Sequence, residues 1–236
     1  MSVLFGCLAA FLIGGIPFGY LLGRSLLKDD IRNHGSGNIG ATNVARVIGW
    51  KWGAVVLILD ALKGMLPTWA ATSWAMQNQP ELRYHLAVAT GIAAIVGHMY
   101  PIYLRLRGGK GVATALGVVL VLSPKSVLAA FVMFAVITLT TGLIGLASML
   151  AAITYGGVQL YLLQGQWLEP DKWSLTLFSV AIPLLIIWRH RSNIARLLSG
   201  TEPTIADHAR PEGTAGQTAA EDRPQTSDDG EGPSAT

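Results

Sequence analysis

Three short segments of the chain carry the residue types that bind or transfer charged groups. The first runs from His34 to Arg46 and combines glycines with Ser, Thr, Arg and two Asn. Glycines let the backbone turn several N–H groups toward one point, which suits a phosphate, and Arg46 adds a bidentate donor. Residues 41–46 are predicted to begin a helix whose positive end faces the same anion. The alternative is a flexible loop whose Ser and Asn only cap that helix.

The second segment has the parts of a phosphate cradle without the spacing of a nucleotide P-loop. It comprises Gly97–Pro101 and Arg107–Thr114, and three glycines surround Lys110. A P-loop requires Gly-x4-Gly-Lys-Ser/Thr, whereas Val112 follows the glycine after this lysine, so ATP binding is not indicated. The glycines favour close approach by a ligand, and the alternative is a lysine that anchors the next apolar helix at the membrane surface.

The third segment, residues 189–202, follows the last apolar stretch of the chain. If it is helical, His190, Asn193 and Leu197 share one stripe, and Gly200 ends the helix. Its arginines have an ordinary alternative role in topology or lipid contact. His190 differs, because a neutral imidazole titrates near working pH and can accept a proton from a hydroxyl.

The elements that must position these segments are membrane helices. The 236 residues are 51% hydrophobic and 13% charged, where soluble domains carry about 25% charged residues. A helix needs roughly 20 mostly apolar residues to cross a bilayer. The sequence therefore predicts an all-α polytopic membrane protein, a seven-helix transmembrane bundle. The predicted spans are Val3–Gly23, Trp52–Met76, Tyr84–Leu104, Val112–Leu122, Val127–Thr141, Leu143–Leu163 and Trp173–Trp188. The fourth and fifth spans are short, so they are either two tilted helices or one broken re-entrant pair.

Charge predicts the orientation of the bundle and its domain limits. One set of loops carries eleven Lys and Arg residues and the opposite set three, so the first set is assigned to the cytoplasm. This puts the N-terminus in the periplasm and the C-terminus in the cytoplasm, with all three segments on the cytoplasmic face. Residues 1–202 are expected to form the membrane domain, and the acidic residues 203–236 a disordered tail, because they have little apolar surface to bury.

Two charged residues fall inside the second predicted span. Asp60 and Lys63 are three residues apart and can pair on one side of a helix, facing the bundle interior. A structural ion pair is the favoured interpretation, and a lining role beneath the cytoplasmic site is the alternative. A transporter for an anionic metabolite is the rival function, but no inverted repeat is visible and the unusual segments lie on one face.

The chemistry of the three segments favours anion binding without metal ions. Cations, amides and hydroxyls dominate, and the carboxylates on the same side are few, which disfavours Mg²⁺-dependent phosphotransfer and predicts no metal and no cofactor. An already activated donor fits better. Acyl transfer from a mixed anhydride requires an anchored anion, a positioned hydroxyl and stabilisation of an oxyanion.

These three motifs, in this order, resemble those of the bacterial acyl-phosphate:glycerol-3-phosphate acyltransferase (PlsY-type) family. They are the Gly35–Arg46 segment, Gly97–Pro101 with Gly108–Thr114, and Arg189–Glu202. The resemblance covers about residues 1–202. It implies acyl transfer from acyl phosphate to the 1-hydroxyl of glycerol 3-phosphate, giving lysophosphatidic acid and inorganic phosphate, the first step of phospholipid synthesis. It also implies a seven-helix fold in the bacterial inner membrane, a cytoplasmic active site and a functional link to the enzyme that forms acyl phosphate, with no nucleic-acid partner.

The resemblance also assigns roles to individual residues. The expected catalytic residues are Ser36, His190 and Asn193. The expected substrate-binding residues are Gly35, Gly37, Asn38, Thr42, Asn43, Arg46, Arg107, Gly108, Gly109, Lys110 and Gly111. Glu202 matches a position with a more structural role. We expect Arg46 and Lys110 to hold the phosphates of the two substrates, while either His190 or the leaving phosphate accepts the hydroxyl proton.

Overall fold

The computed structural model describes residues 3–208, and these residues form helices without any strand. The all-α prediction is therefore confirmed. The helices are Val3–Gly15 (α1), Phe18–Leu26 (α2), Ala41–Val47 (α3), Trp50–Asn78 (α4), Arg83–Met99 (α5), Val112–Leu122 (α6), Pro124–Thr141 (α7), Ile144–Leu162 (α8), Trp173–Arg189 (α9) and Arg191–Leu198 (α10). Short 3-10 turns occur at Ile31–Asn33, Pro80–Leu82, Ile102–Leu104 and Ala206–His208.

Five helical stretches within residues 3–208 are long and apolar enough to cross a bilayer. They are Val3–Leu26, Trp50–Asn78, Pro80–Leu104, Pro124–Thr141 and Ile144–Leu162, and α9 with α10 makes a sixth if that bent pair is one span. In contrast, α6 has 11 residues and is roughly 16 Å long, about half the thickness of the hydrocarbon core. Of the two predicted short spans, α7 has the length to cross and α6 does not. Seven crossings and the side of each terminus stay predictions.

Proline and glycine set the helix boundaries that the site depends on. Pro17 follows the end of α1, and Pro124 is the first residue of α7, where its missing N–H is not needed. Gly200, in the left-handed region with a φ of 69°, follows α10 as predicted. The third segment is helical from Arg191 to Leu198, and the chain bends by 57° between α9 and α10, a bend that the sequence did not predict. His190 lies at this break and precedes α10.

Two buried apolar clusters support the ends of the helices that carry the motifs. The larger cluster joins α5, α6, α8 and α9, and includes Val118 and Phe178. The smaller one, around Ile31 and Val44, lies under the first motif. Glycine at position 64 lets α4 and α6 approach closely, because a Cβ there would overlap the Thr114 carbonyl. The N-terminal end of α6 is thereby held against α4.

The start of the predicted tail belongs to the folded part of the chain. Pro203 and Ile205 line the same cavity as the motif residues, and the N–H of Ile205 donates to the carbonyl of Gly142 at 3.0 Å. Residues 203–205 therefore contact the membrane domain, and the boundary after residue 202 stays a prediction. Residues 209–236, the remainder of the predicted disordered tail, lie outside the described residues.

Candidate active site

The three motifs meet around one cavity of about 150 Å³. It lies where α3, the start of α6, the α7–α8 turn and the α9–α10 bend come together. Residues from all three segments line it, including Ser36, Arg46, Lys110, His190, Asn193 and Glu202. Segments from distant parts of the sequence thus converge on one small volume, as the hypothesis of a shared anion site requires.

The first motif is organised around a buried asparagine. Oδ1 of Asn43 accepts hydrogen bonds from the backbone N–H of Ser36 at 2.7 Å and from its hydroxyl at 3.1 Å. Nδ2 of Asn43 donates to the carbonyls of Ile31, His34 and Asn38 at 2.8–3.2 Å. The loop therefore uses its amides internally, and the predicted nest of free N–H groups is not formed at Ser36. The motif presents side chains to the cavity instead.

The second motif places its lysine by docking the preceding glycines on the end of α5. The N–H of Gly108 donates to the Met99 carbonyl at 3.1 Å, and that of Gly109 to the His98 carbonyl at 3.2 Å. These two amides are therefore unavailable to a phosphate, contrary to the cradle expected from the sequence. Lys110 follows directly and reaches into the cavity.

The N-terminal end of α6 supplies the amides that the glycine loop does not. Gly111, Val112 and Ala113 all line the cavity, and α6 begins at Val112. The first N–H groups of a helix have no partner within the helix and carry its positive dipole end, so this terminus favours an anion.

In the third motif, an asparagine connects a lysine to a carboxylate through hydrogen bonds. Lys110 donates a hydrogen bond to Oδ1 of Asn193, and Nδ2 of Asn193 donates to Oε1 of Glu202 at 2.5 Å. The other oxygen of Glu202 accepts from Nε of Arg196 at 2.7 Å. From the end of α9, Arg189 donates to the Gly109 carbonyl at 2.6 Å. Asn193 thus orients Lys110, and Arg189 holds the loop that carries it.

The cavity has a cationic electrostatic environment. Burial lowers the pKa of Lys110 to about 8; Glu202 raises this pKa, whereas the charges of Arg196 and Arg46 lower it. Burial also lowers the pKa of Arg46. These cations repel one another and are partly desolvated, so an anion entering the cavity relieves both costs. The cavity therefore has the charge that favours binding of an anion such as a phosphate group.

His190 is held in one tautomer and stays neutral at working pH. Its Nδ1–H donates to the Ile186 carbonyl at 2.8 Å, which leaves Nε2 without a proton. Burial, followed by the nearby charge of Lys110, lowers the pKa of His190 to about 4. The expectation that this imidazole titrates near working pH is therefore wrong, and its basicity is weaker than the residue type suggests.

An apolar groove of about 190 Å³ continues from the polar cavity between α6, α7, α8 and α9. The two share a rim of five residues: Leu57, Val112, Ala113, Phe134 and Ser148. Beyond the rim, the groove is lined by aliphatic and aromatic side chains, among them Leu116 and Phe131. A ligand with an anionic head and a hydrocarbon chain matches this pair of volumes.

Comparison with known proteins identifies the family that shares this arrangement. Residues 4–200 match the family model for glycerol-3-phosphate acyltransferase. The chain belongs to this family. It is 46% identical over 195 residues to the glycerol-3-phosphate acyltransferase of Myxococcus xanthus, covering 83% of this chain and 95% of that protein. The corresponding protein of Listeria monocytogenes serotype 4a is 40% identical over 198 residues, covering 84% and 94%.

Two crystal structures of PlsY, an integral membrane glycerol 3-phosphate acyltransferase, resemble this acyltransferase-family chain. The glycerol 3-phosphate form has a TM-score of 0.75 and 40% identity, covering 86% of this chain and 96% of that one. The lysophosphatidic acid form has a TM-score of 0.73 and 38% identity, covering 88% and 97%. The resemblance stated from the sequence motifs is thereby confirmed.

The predicted site residues of this family member divide into two groups. Those that line the cavity are Ser36, Asn38, Thr42, Asn43, Arg46, Lys110, Gly111, His190 and Asn193. Those that do not are Gly35, Gly37, Arg107, Gly108 and Gly109. Gly108 and Gly109 support Lys110 through the docked loop, whereas the Arg107 side chain is exposed.

Several residues that line the cavity were not among the predicted site residues, and two of them, His98 and Asp60, are buried and titratable. Nδ1 of His98 lies 3.7 Å from Oδ1 of Asp60. Asp60 forms the predicted ion pair with Lys63 at 2.7 Å and also lines the cavity, so both interpretations of this carboxylate apply. The signal for His98 was its place in the second motif, but its partner comes from a different helix.

Proposed function

We propose that this chain transfers a fatty acyl group from acyl phosphate to the 1-hydroxyl of glycerol 3-phosphate. The products are lysophosphatidic acid and inorganic phosphate. The observation that carries the proposal is the continuity between the cationic cavity and the apolar groove. Both the lipid donor and the lipid product have an anionic head and a hydrocarbon chain, so each requires both volumes. Relatives named for glycerol 3-phosphate acylation support the choice of acceptor.

The two phosphates are assigned to the two cations of the cavity that belong to the first and second motifs. Arg46 binds one phosphate and Lys110 the other, and Arg196 adds to the positive potential between them. We assign the acceptor phosphate to Lys110, because the loop that carries it is held from two sides and Asn193 fixes its ammonium group. Holding both substrates in one cavity makes the reaction between them effectively unimolecular, which lowers its entropic cost.

The acyl carbonyl lies where the groove meets the cavity. The rim includes Val112 and Ala113, the first two residues of α6, so the carbonyl sits at the N-terminal end of this helix. The unpaired N–H groups there stabilise the oxyanion as the acceptor oxygen attacks the carbonyl carbon. The bond between that carbon and the phosphate oxygen then breaks, and inorganic phosphate leaves.

The leaving phosphate, rather than His190, takes the hydroxyl proton. The expelled inorganic phosphate is a strong base, whereas burial lowers the pKa of the His190 imidazole to about 4, so the phosphate is the better proton acceptor. Nε2 of His190 instead accepts the hydrogen bond that orients the hydroxyl. The acceptor proton ends on the expelled phosphate, so the step balances without a further base.

The size of the cavity supports acyl phosphate as the donor. Pockets that hold drug-sized ligands occupy roughly 300–1,000 Å³, whereas this cavity measures about 150 Å³. The small head groups of acyl phosphate and glycerol 3-phosphate suit that volume better than the nucleotide-containing head of coenzyme A. Because acyl phosphates hydrolyse readily, an enzyme that forms them must supply this one. The basic loops support a location in the bacterial inner membrane with the site on the cytoplasmic face.

A comparison of donors tests the proposal. The purified protein in detergent is mixed with glycerol 3-phosphate and acyl phosphate, acyl-CoA or acyl carrier protein, and lysophosphatidic acid is quantified. We expect product with acyl phosphate, stoichiometric with released phosphate. A matched control replaces glycerol 3-phosphate with glycerol, which lacks the anion that Lys110 binds. Equal product from acyl-CoA, or acyl phosphate consumption that needs no acceptor, would refute the proposed reaction.

A further inference from the structure

Three buried titratable side chains adjoin the cavity, and the proposed reaction uses none of them. The Asp60 and Lys63 side chains are each 3% exposed, as is that of His98. Charged groups at bilayer depth cost roughly 2.5–3.5 kcal/mol each on insertion scales, so a buried set of this kind calls for a role. Asp60 and His98 line the cavity, which puts them next to the substrates.

The carboxylate of Asp60 is anchored on one side and faces the histidine on the other. Oδ1 of Asp60 is 2.7 Å from Nζ of Lys63, and Lys63 also donates to the carbonyl of Ile16 at 2.7 Å. Lys63 thereby ties Asp60 to the break between α1 and α2. The same Oδ1 lies 3.7 Å from Nδ1 of His98, and this nitrogen is buried without a hydrogen-bond partner. The carboxylate is the polar group that this nitrogen faces.

The position of the His98 ring and the position of the second-motif loop are mechanically linked. The loop amide of Gly109 donates to the His98 carbonyl, and the ring lies so close that a Cβ on Gly109 would overlap Nε2. A tilt of the ring therefore displaces Gly109 and the lysine that follows it. From the opposite side, Arg189 holds the Gly109 carbonyl at 2.6 Å. The loop rests between the arginine and the histidine.

We infer that Asp60 is a positioning residue for the acceptor phosphate, acting through His98 and Gly109 on Lys110. This inference rests on the proposed function, because it concerns the acceptor that Lys110 binds. Attraction between the carboxylate and the Nδ1–H of His98 draws the ring toward α4. The ring therefore stays out of the space that the Gly109 backbone occupies. Because Asp60 acts through the loop and not on the reacting atoms, its loss should weaken acceptor binding and spare the chemical step.

The test is the Asp60→Asn variant, which keeps the shape and an oxygen acceptor for Lys63. We expect KM for glycerol 3-phosphate to rise at least fivefold, while kcat and KM for the donor stay within twofold. The matched control is Ser126→Ala, which removes a buried hydrogen bond of 2.6 Å to Gln159 away from the cavity. A merely structural loss lowers the melting temperature in both variants and leaves KM for the acceptor unchanged.

A double-mutant cycle tests whether Asp60 acts through His98. In a His98→Gln background, Asp60→Asn should add less than a twofold change in KM, because the pathway to the loop is already broken. Additive effects would overturn the inference, as would an Asp60→Asn variant with normal KM. Should either variant misfold, the other single variant still tests the acceptor-specific change.

Calorimetry of glycerol 3-phosphate binding without donor separates this inference from the proposed reaction. An unchanged Kd in Asp60→Asn, in an otherwise active enzyme, refutes the positioning role alone. If glycerol 3-phosphate binding weakens in the variant but acyl phosphate is inactive as donor, the proposed reaction is refuted. The positioning role of Asp60 is then retained.

Discussion

The lowered pKa of Lys110 predicts an alkaline limit on acceptor use. Burial brings this pKa from the usual lysine value of 10.5 to about 8. Below pH 8 the side chain is a cation that attracts the acceptor phosphate, and above pH 8 it is a neutral amine. The phosphate itself stays dianionic over this range, since its second pKa is about 6. A loss of kcat/KM as pH rises through 8 therefore reports the lysine.

The expected magnitude follows from the fraction of Lys110 that carries a proton. With a pKa of about 8, this fraction falls from about 90% at pH 7 to about 10% at pH 9, so kcat/KM for glycerol 3-phosphate falls roughly tenfold. A lysine with an ordinary pKa of 10.5 would lose only about 3% of its charge by pH 9. The two cases differ enough to be separated by steady-state kinetics.

The assay measures initial rates of lysophosphatidic acid formation from pH 6 to 9.5 with saturating donor. Lys110→Arg is the informative variant, because a guanidinium does not deprotonate in this range. We expect lower activity from its altered geometry with Asn193, together with loss of the inflection near pH 8. A flat wild-type profile up to pH 9, or an inflection that persists in Lys110→Arg, would refute the assignment of the acceptor phosphate to Lys110.

Three further predictions concern the base, the loop and the groove. His190→Gln should keep the shape of the pH profile between pH 6 and 8 and lose no more than about tenfold in rate, because its pKa of about 4 makes it an orienting group rather than the base. Gly109→Ala should reduce kcat/KM for the acceptor more than tenfold, since the Cβ would collide with the His98 ring. Ala130→Trp, in the apolar groove, should shift donor preference toward shorter acyl chains, measured with a series of acyl phosphates.

Each of these predictions has its own control or contrary result. Gly157→Ala is matched to Gly109→Ala, because a Cβ at Gly157 meets nothing within 4 Å and a helical alanine is favoured over glycine by about 1 kcal/mol. Equal activity of the two alanine variants would contradict the close packing at His98. An altered pH profile in His190→Gln would show that the imidazole is the base. An unchanged preference for acyl-chain length in Ala130→Trp would show that the acyl chain binds outside this groove.

Apolar runs and loop charge were enough to predict an all-helical membrane protein, because the energy of burying side chains in hydrocarbon depends mainly on composition. The same reasoning set most helices within a few residues, as for α4 and α8. It left the structure of the third segment open and did not place the bend that the chain makes at His190. Helical periodicity does not encode such a bend, since it depends on how α9 and α10 pack against other elements.

The motifs by themselves determined the family, the phosphate chemistry and the candidates Arg46, Lys110 and His190, because residue type limits which charges and hydrogen bonds a segment can offer. Tertiary packing decided how these groups work. In the folded chain, the N–H groups of Gly108 and Gly109 donate to carbonyls at the end of α5. Burial lowers the pKa of Lys110 to about 8, and Asp60, from another helix, lies beside His98. Desolvation and distances between helices arise only when the chain has folded, and they convert a list of polar residues into a site.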